Sequence, residues 1–430
     1  MNKLIIILCF FPFIVLSQEK ITISGYIEEK INGEKLIGAT VYDLKSGKGT
    51  ITNDYGFYSL TLDRDSVRLR VSFSGFENQY FSTYLENDLS LNFQLDNVLL
   101  EEVEIIGNQE QVHQRTEMST IDLSMSKVKT LPALLGENDI MKTIQLLPGV
   151  QSGSEGSSGV YVRGGGPDQN LILLDGVPVY NASHLFGFFS VFNADAIKDM
   201  KLYKGGIPAE YGSRVSSVLD VRQKEGNSNF RQTSGGIGLI SSRLMVEGPM
   251  RDRSSYMIAG RRSYGDLFLK LSGDSTINSN ILYFYDLNIK LNSWLGEKDR
   301  IFLSSYLGRD AFKFGSLFSS SWGNNTLNLR WLHLFSDRVV SNLSYNFNDY
   351  DYLISILPEG FEFDWKSKIR NHQFKYDVSY FQSNQHQIKT GFVVNKYDFE
   401  PGIIEPATDS SSIVTFNMRD KHAYETALFI

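Results

Sequence analysis

The 430-residue chain has a single cysteine, Cys9. It lies inside an apolar N-terminal stretch that reads as a cleaved leader, so the mature protein is expected to form neither a disulfide nor a thiolate site. Cys9 also sits too early to be a lipid-modified cysteine following the apolar run. No apolar run reaches the roughly 20 residues that a spanning helix needs, which excludes a transmembrane helix. The formal charge of −7, with no basic cluster, excludes nucleic acid as a partner. The six histidines, at 113, 184, 333, 372, 386 and 422, are scattered. None has a neighbour at metal-ligand spacing, so no metal site and no cofactor are expected. Gly164-Gly165-Gly166 runs into Pro167-Asp168, without the Lys-Ser or Lys-Thr of a phosphate loop. There is no Gly-x-Ser-x-Gly elbow either. Nothing argues for an enzyme.

What is present favours strands. Phe 29 and Tyr 22 contribute to an aromatic share of 13%, with Gly 36 against Pro only 10. A lysine at position 3, the apolar residues 4–16 and then Ser17 form a secretory signal, assigned to residues 1–17. The remaining length predicts two or three folding units.

Residues 18–97 alternate short β-prone runs with turn residues, enough for a small β-sandwich. Gly38-Ala39-Thr40-Val41-Tyr42 and then Thr50-Ile51-Thr52-Asn53-Asp54-Tyr55-Gly56-Phe57-Tyr58 resemble the carboxypeptidase-regulatory-like domain that precedes many Bacteroidetes receptors. The resemblance implies a non-catalytic accessory domain. Asp54 and Gly56 are accounted for by a turn between strands.

Residues 98–125 are read as a partner-binding segment and linker. Leu100, Glu101, Glu102, Val103, Glu104, Ile105 and Ile106 form an acidic, β-prone strip that could add to a partner's sheet edge, or else be the last strand of the preceding domain. In position and wording the strip resembles the TonB box of outer-membrane receptors.

Residues 126–226 carry four ordered landmarks: Leu147-Pro148-Gly149-Val150; Arg163-Gly164; Leu173-Leu174-Asp175-Gly176-Val177-Pro178; and Gly205-Gly206-Ile207-Pro208-Ala209-Glu210-Tyr211-Gly212. In order and spacing they resemble the plug domain of TonB-dependent receptors. The resemblance implies an α+β plug, with ligand contacts from loops holding Asp168, Gln169, Tyr180, Asn181 and His184, and with Arg163 tying plug to barrel wall. The stretch after Tyr211-Gly212 departs from the phrase that closes the plug of starch-utilisation porins, which argues against a glycan porin.

Residues 227–430 alternate polar and apolar side chains, as in 285–292, 342–348 and 374–380. Tight turns are expected near 248–253, 296–300, 335–338 and 382–385. They alternate with long links at 265–280, 310–325, 352–364 and 400–421, the pattern of a transmembrane antiparallel barrel. About ten strands are expected of the 22 that a plugged barrel of this class carries, so the chain reads as a fragment or split product. The fold expectation is therefore mainly β: sandwich, plug, and the first part of a barrel in outer-membrane lipid. The functional expectation is energised uptake of a scarce siderophore, vitamin, peptide or glycan with a TonB-type partner. The competing expectation is a surface-binding or adhesion β-protein without transport.

Overall fold

The computed structural model describes residues 20–98, 119–131, 136–152, 159–212 and 214–430. The expected signal peptide and the segment 100–106 lie outside the described residues.

The first unit is a sandwich of two sheets. Lys20–Glu29 pairs antiparallel with Phe57–Asp63 and parallel with Leu89–Ser90, and Phe93–Leu95 joins the same sheet. The facing sheet runs Gly49–Ile51, Thr40–Asp43, Ser66–Ser72, Gln79–Tyr84. Period-two patterning sends Ile21, Ile23, Leu60, Leu69, Val71 and Phe93 into the core between them. The turn around Asp54 is closed by Asn53, whose Oδ1 accepts from the amides of Tyr55 and Phe57, both at 3.0 Å. Gly56 completes it at φ 72°, which a side chain would resist.

In the second unit the plug has a five-stranded sheet in the order Val177–Pro178, Asn170–Leu174, Ser217–Gln223, Ile197–Tyr203, Thr120–Ser124. Only the Asn170–Leu174 and Ser217–Gln223 pair is parallel. The strand Thr120–Ser124 corrects the expected linker 98–125: its Thr-Ile-Asp-Leu-Ser alternation pairs with Ile197–Tyr203, so the plug begins ahead of residue 126. The helix Ile140–Gln145 packs Ile140, Met141 and Ile144 into the plug core. Asp139 caps it, accepting from Lys142 N at 2.9 Å. The helix ends before Pro148, and Gly149 takes φ 78°.

The third part is one sheet of eleven antiparallel strands from Gln232–Ile237 to Lys421–Phe429, in chain order except that Phe416–Met418 and Lys421–Phe429 both pair with His386–Pro406. The count exceeds the expected ten because the last link encloses a short strand, Phe416–Met418. Tight turns fall at 252–253, 295–298, 337–338 and 384–385. The expected long links are corrected. Residues 310–325 are mostly strand, since Asp299–Phe314 and Phe318–Ser336 meet through a turn of 315–317 alone. Likewise 352–364 shrinks to 357–362. Polarity misled here, because a strand that runs past the bilayer needs ladder hydrogen bonds but no apolar face. Strands of 14 to 21 residues exceed the roughly 9–11 that cross a membrane.

One strand decides between a soluble sandwich and a membrane wall. In Ile281–Trp294 the polar Asp286, Asn288, Lys290 and Asn292 are buried, whereas Tyr285, Leu287, Ile289 and Leu291 face outward. Ile301, Leu307, Leu329, Trp331, Tyr345 and Phe374 continue that outward apolar band. A water-soluble sheet buries the other face; only lipid makes this one favourable. Leu329→Arg is therefore expected to destabilise the protein in lipid vesicles by about 2–4 kcal/mol. A folding titration in vesicles checks it, and a variant as stable as the parent would speak against lipid on that face.

Candidate functional site

The chemistry of the second unit is concentrated where plug loops meet the polar face of the wall. The hairpin at Asp175-Gly176 has φ of 50° and 83° at its two central residues, the requirement of a tight hairpin turn that Asp-Gly meets. Asp175 Oδ2 pairs with Lys290 Nζ at 2.7 Å, both ends buried, and Oδ1 accepts from Gln223 N at 3.1 Å. Gly176 O accepts from Asn346 Nδ2 at 3.1 Å and Pro178 O from Asn348 Nδ2 at 2.6 Å. The turn thus docks the plug through main-chain carbonyls as well as charge.

The next loop lies deeper in the contact. His184, 1% exposed, places Nδ1 2.6 Å from Asp310 and Nε2 3.4 Å from Asp286. Leu185 N donates to the other oxygen of Asp310 at 2.8 Å. Arg261 grips Asp286 at 2.8 Å, reaches Glu137 at 3.5 Å and donates to Ser190 O at 2.8 Å. The imidazole stacks on Phe284 with ring centroids 4.2 Å apart. Burial alone would push the imidazole pKa down, but Asp310 and Asp286 outweigh it and hold the pKa above the ordinary value. Elsewhere Asp195 pairs with Lys129 at 3.1 Å and Arg243 at 2.6 Å. Although its burial opposes this, the two cations lower its pKa.

The landmark around Gly205 and Gly206 ends on Glu210, which takes Lys375 at 3.0 Å and Lys389 at 2.6 Å, while Lys375 also lies over the ring of Tyr211. Arg163 does something else than expected. Its guanidinium donates to Ser119 Oγ at 3.0 Å and lies against Gly205, bracing the plug to itself. Gly164 follows at φ 85° and Gly212 is exposed. Asp168 and Gln169 stand exposed in the turn Pro167–Gln169. Tyr180 and Asn181, by contrast, meet the wall: Tyr180 N donates to Asn324 Oδ1 at 3.4 Å and Asn181 O accepts from Asn324 Nδ2 at 3.1 Å. Burial pushes the Tyr180 hydroxyl up to about 12.

Glu210, Asp310, Arg261 and Glu137 escaped the sequence reading. Their partners are remote along the chain, 126 positions in the case of His184 and Asp310, and no local pattern carries that. Glu210 was within reach, as the one charge inside a glycine-rich landmark. No group of three or more His, Cys, Asp or Glu able to hold a metal ion occurs among the described residues.

Residues 23–105 match the CarboxypepD_reg-like domain, and residues 116–218 match the TonB-dependent Receptor Plug Domain. The chain carries the plug of a TonB-dependent receptor. The ferric enterobactin receptor of Pseudomonas aeruginosa is 27% identical over 170 residues, 33% of this chain and 22% of that protein. TonB-dependent receptor P3 of Formosa agariphila is 26% identical over 230 residues, 50% of this chain and 21% of the relative. Among solved structures, the siderophore receptor PirA from Acinetobacter baumannii gives a TM-score of 0.51 at 17% identity, over 68% of this chain and 49% of that one. Copper transporter OprC gives 0.53 at 12%, over 72% and 51%. The match therefore spans under a quarter of the curated relatives and about half of the solved ones. It shows the plug-and-barrel fold of these receptors.

The seat of the plug leads to a pH prediction. A raised His184 pKa means that the seated state favours the protonated ring. Its contribution is complete below about pH 6.5 and is lost as pH rises through the higher folded value. Hydrogen exchange of residues 183–190 is expected to quicken over that rise in the parent and to lose the dependence in His184→Gln. Asp310→Ala, which strands buried charge, is expected to cost about 3–5 kcal/mol in denaturant titrations that follow the same segment.

Proposed function

We propose that the protein is a TonB-dependent outer-membrane receptor that takes up a scarce ligand, energised from the periplasmic side by a TonB-type protein. The observation that carries this reading is the wall whose apolar side faces out while its polar side holds a plug by buried ion pairs. Such a wall is at home in outer-membrane lipid and leaves the plug as the element to be moved.

The partner's handle is residues 100–106, whose mixed acidic and β-prone apolar side chains suit strand addition to a sheet edge. Ligand contacts come from the plug loops with Tyr180 and Asn181, together with Asp168 and Gln169. His184, buried against Asp310 and Asp286, holds its loop rather than meeting the ligand. Residues 1–17 direct export. The 18–97 sandwich is an accessory domain ahead of the plug.

The competing reading, a non-transporting adhesion protein, requires solubility without detergent, which the outward apolar band opposes. The test is energised uptake by cells carrying the intact gene. Because proline removes a strand-pairing N–H, Val103→Pro is expected to abolish uptake while surface retention of ligand stays at the parent level. Uptake unchanged by Val103→Pro and by deletion of 100–106 would sink the proposal.

A further inference from the structure

Above the plug, the inner face of the wall is aromatic. Tyr350 and Tyr352 share the face of Asn346 and Asn348, the residues that bond plug carbonyls, and Trp365 lies on the matching face of the next strand, where it opposes Ile354. The rings form a ladder that starts on the plug: Tyr180 to Tyr350 at 6.2 Å, Tyr350 to Tyr352 at 6.4 Å, Tyr352 to Trp365 at 6.3 Å. All four keep part of their surface exposed. A second run climbs from another plug residue, with Phe186 5.1 Å from Phe312 and 4.8 Å from Trp322. Between the two runs stand Asn181 and Asn324, and Asn371 bonds the Tyr180 hydroxyl.

The same strands send their cations the other way. Arg309, Lys366, Lys368 and Arg370 alternate with these inner residues and therefore lie on the outward face, where they pair with Asp351, Glu405 and Asp349. The inner face nearby carries the opposite charges Lys421 and Glu425. A site built for a multiply anionic ferric chelate would turn its cations inward. This one offers rings, amides and hydroxyls, with Arg214 of the plug acting on Tyr180 and with Lys366, Lys368 and Arg370 turned away.

The geometry points to a neutral oligosaccharide as the ligand, the apolar C–H faces of its sugar rings stacked on Tyr352 and Trp365 and its hydroxyls bonded by Asn and Tyr side chains. This rests on the receptor reading above and adds the ligand class to it. It also runs against the phrase after Tyr211-Gly212, which concerns the closing of the plug and not the wall. Stacking is worth enough per ring for single substitutions to be visible.

The test is titration of the detergent-purified full chain, read by calorimetry, with maltohexaose, laminarihexaose and xylohexaose, and with ferric enterobactin as the anionic comparison. At least one hexasaccharide is expected to bind saturably. Trp365→Ala and Tyr352→Ala are each expected to weaken it about tenfold or more, Trp365→Phe to restore most of it, and the outward Arg370→Ala to leave it unchanged. Binding of ferric enterobactin alone, binding of no probe, or sugar binding indifferent to both alanine variants overturns the assignment. None of these outcomes touches the receptor reading, whose failure shows separately as uptake that is indifferent to residues 100–106.

Discussion

Asp286 and Asp310 are carboxylates on two adjacent barrel strands, Ile281–Trp294 and Asp299–Phe314, shut away from water, and the plug's seat follows from the need to neutralise them. An isolated buried carboxylate is prohibitively costly. Arg261 from the wall answers Asp286, and His184 from the plug answers Asp310 and lies within reach of Asp286. Half of the neutralising charge thus arrives on the plug. Withdrawal of the loop would leave Asp310 without His184 and the Leu185 amide, so buried charge holds the loop in its seat.

The same logic orders the other contacts. Lys290 on the wall waits for Asp175, and Lys375 and Lys389 wait for Glu210. In each case a charge fixed to a long strand meets its counterpart on a plug turn. Ion pairs of this kind gain little over apolar packing in stability, but they impose one register. The carbonyl contacts of Asn346 and Asn348 add main-chain precision to that register.

Much of this was legible from residues and much was not. The alternation from Tyr285 to Asn292 announced a two-faced strand, and Asp175-Gly176 announced a hairpin, because both depend on neighbours in sequence. Which face lies inward could not come from alternation alone; it needed the turns that separate a barrel from a sandwich. The stretch 310–325 read as a link because Ser319, Ser320, Ser321, Gly323 and Asn324 look like loop residues, whereas each is held by ladder bonds to both neighbouring strands. The role of Arg163 was misplaced for a related reason. Its partner Ser119 sits in a strip read as linker, so nothing suggested a contact inside the plug.

The sorting of side chains on these strands is a matter of a single residue. With a period of two, Trp365 and Lys366, or Asp310 and Arg309, occupy opposite faces by adjacency alone. A slip of one position between Val339–Ile356 and Phe363–Ser383 would bring Lys366, Lys368 and Arg370 inward and turn Trp365 out. Two features forbid it. The tight turn at 337–338 sets the pairing of the preceding hairpin, and Asn342 Nδ2 bonds Asp377 Oδ1 at 3.0 Å across the lower part of this one. The aromatic character of the inner wall above the plug is therefore fixed below it, by the polar contacts that also seat the plug.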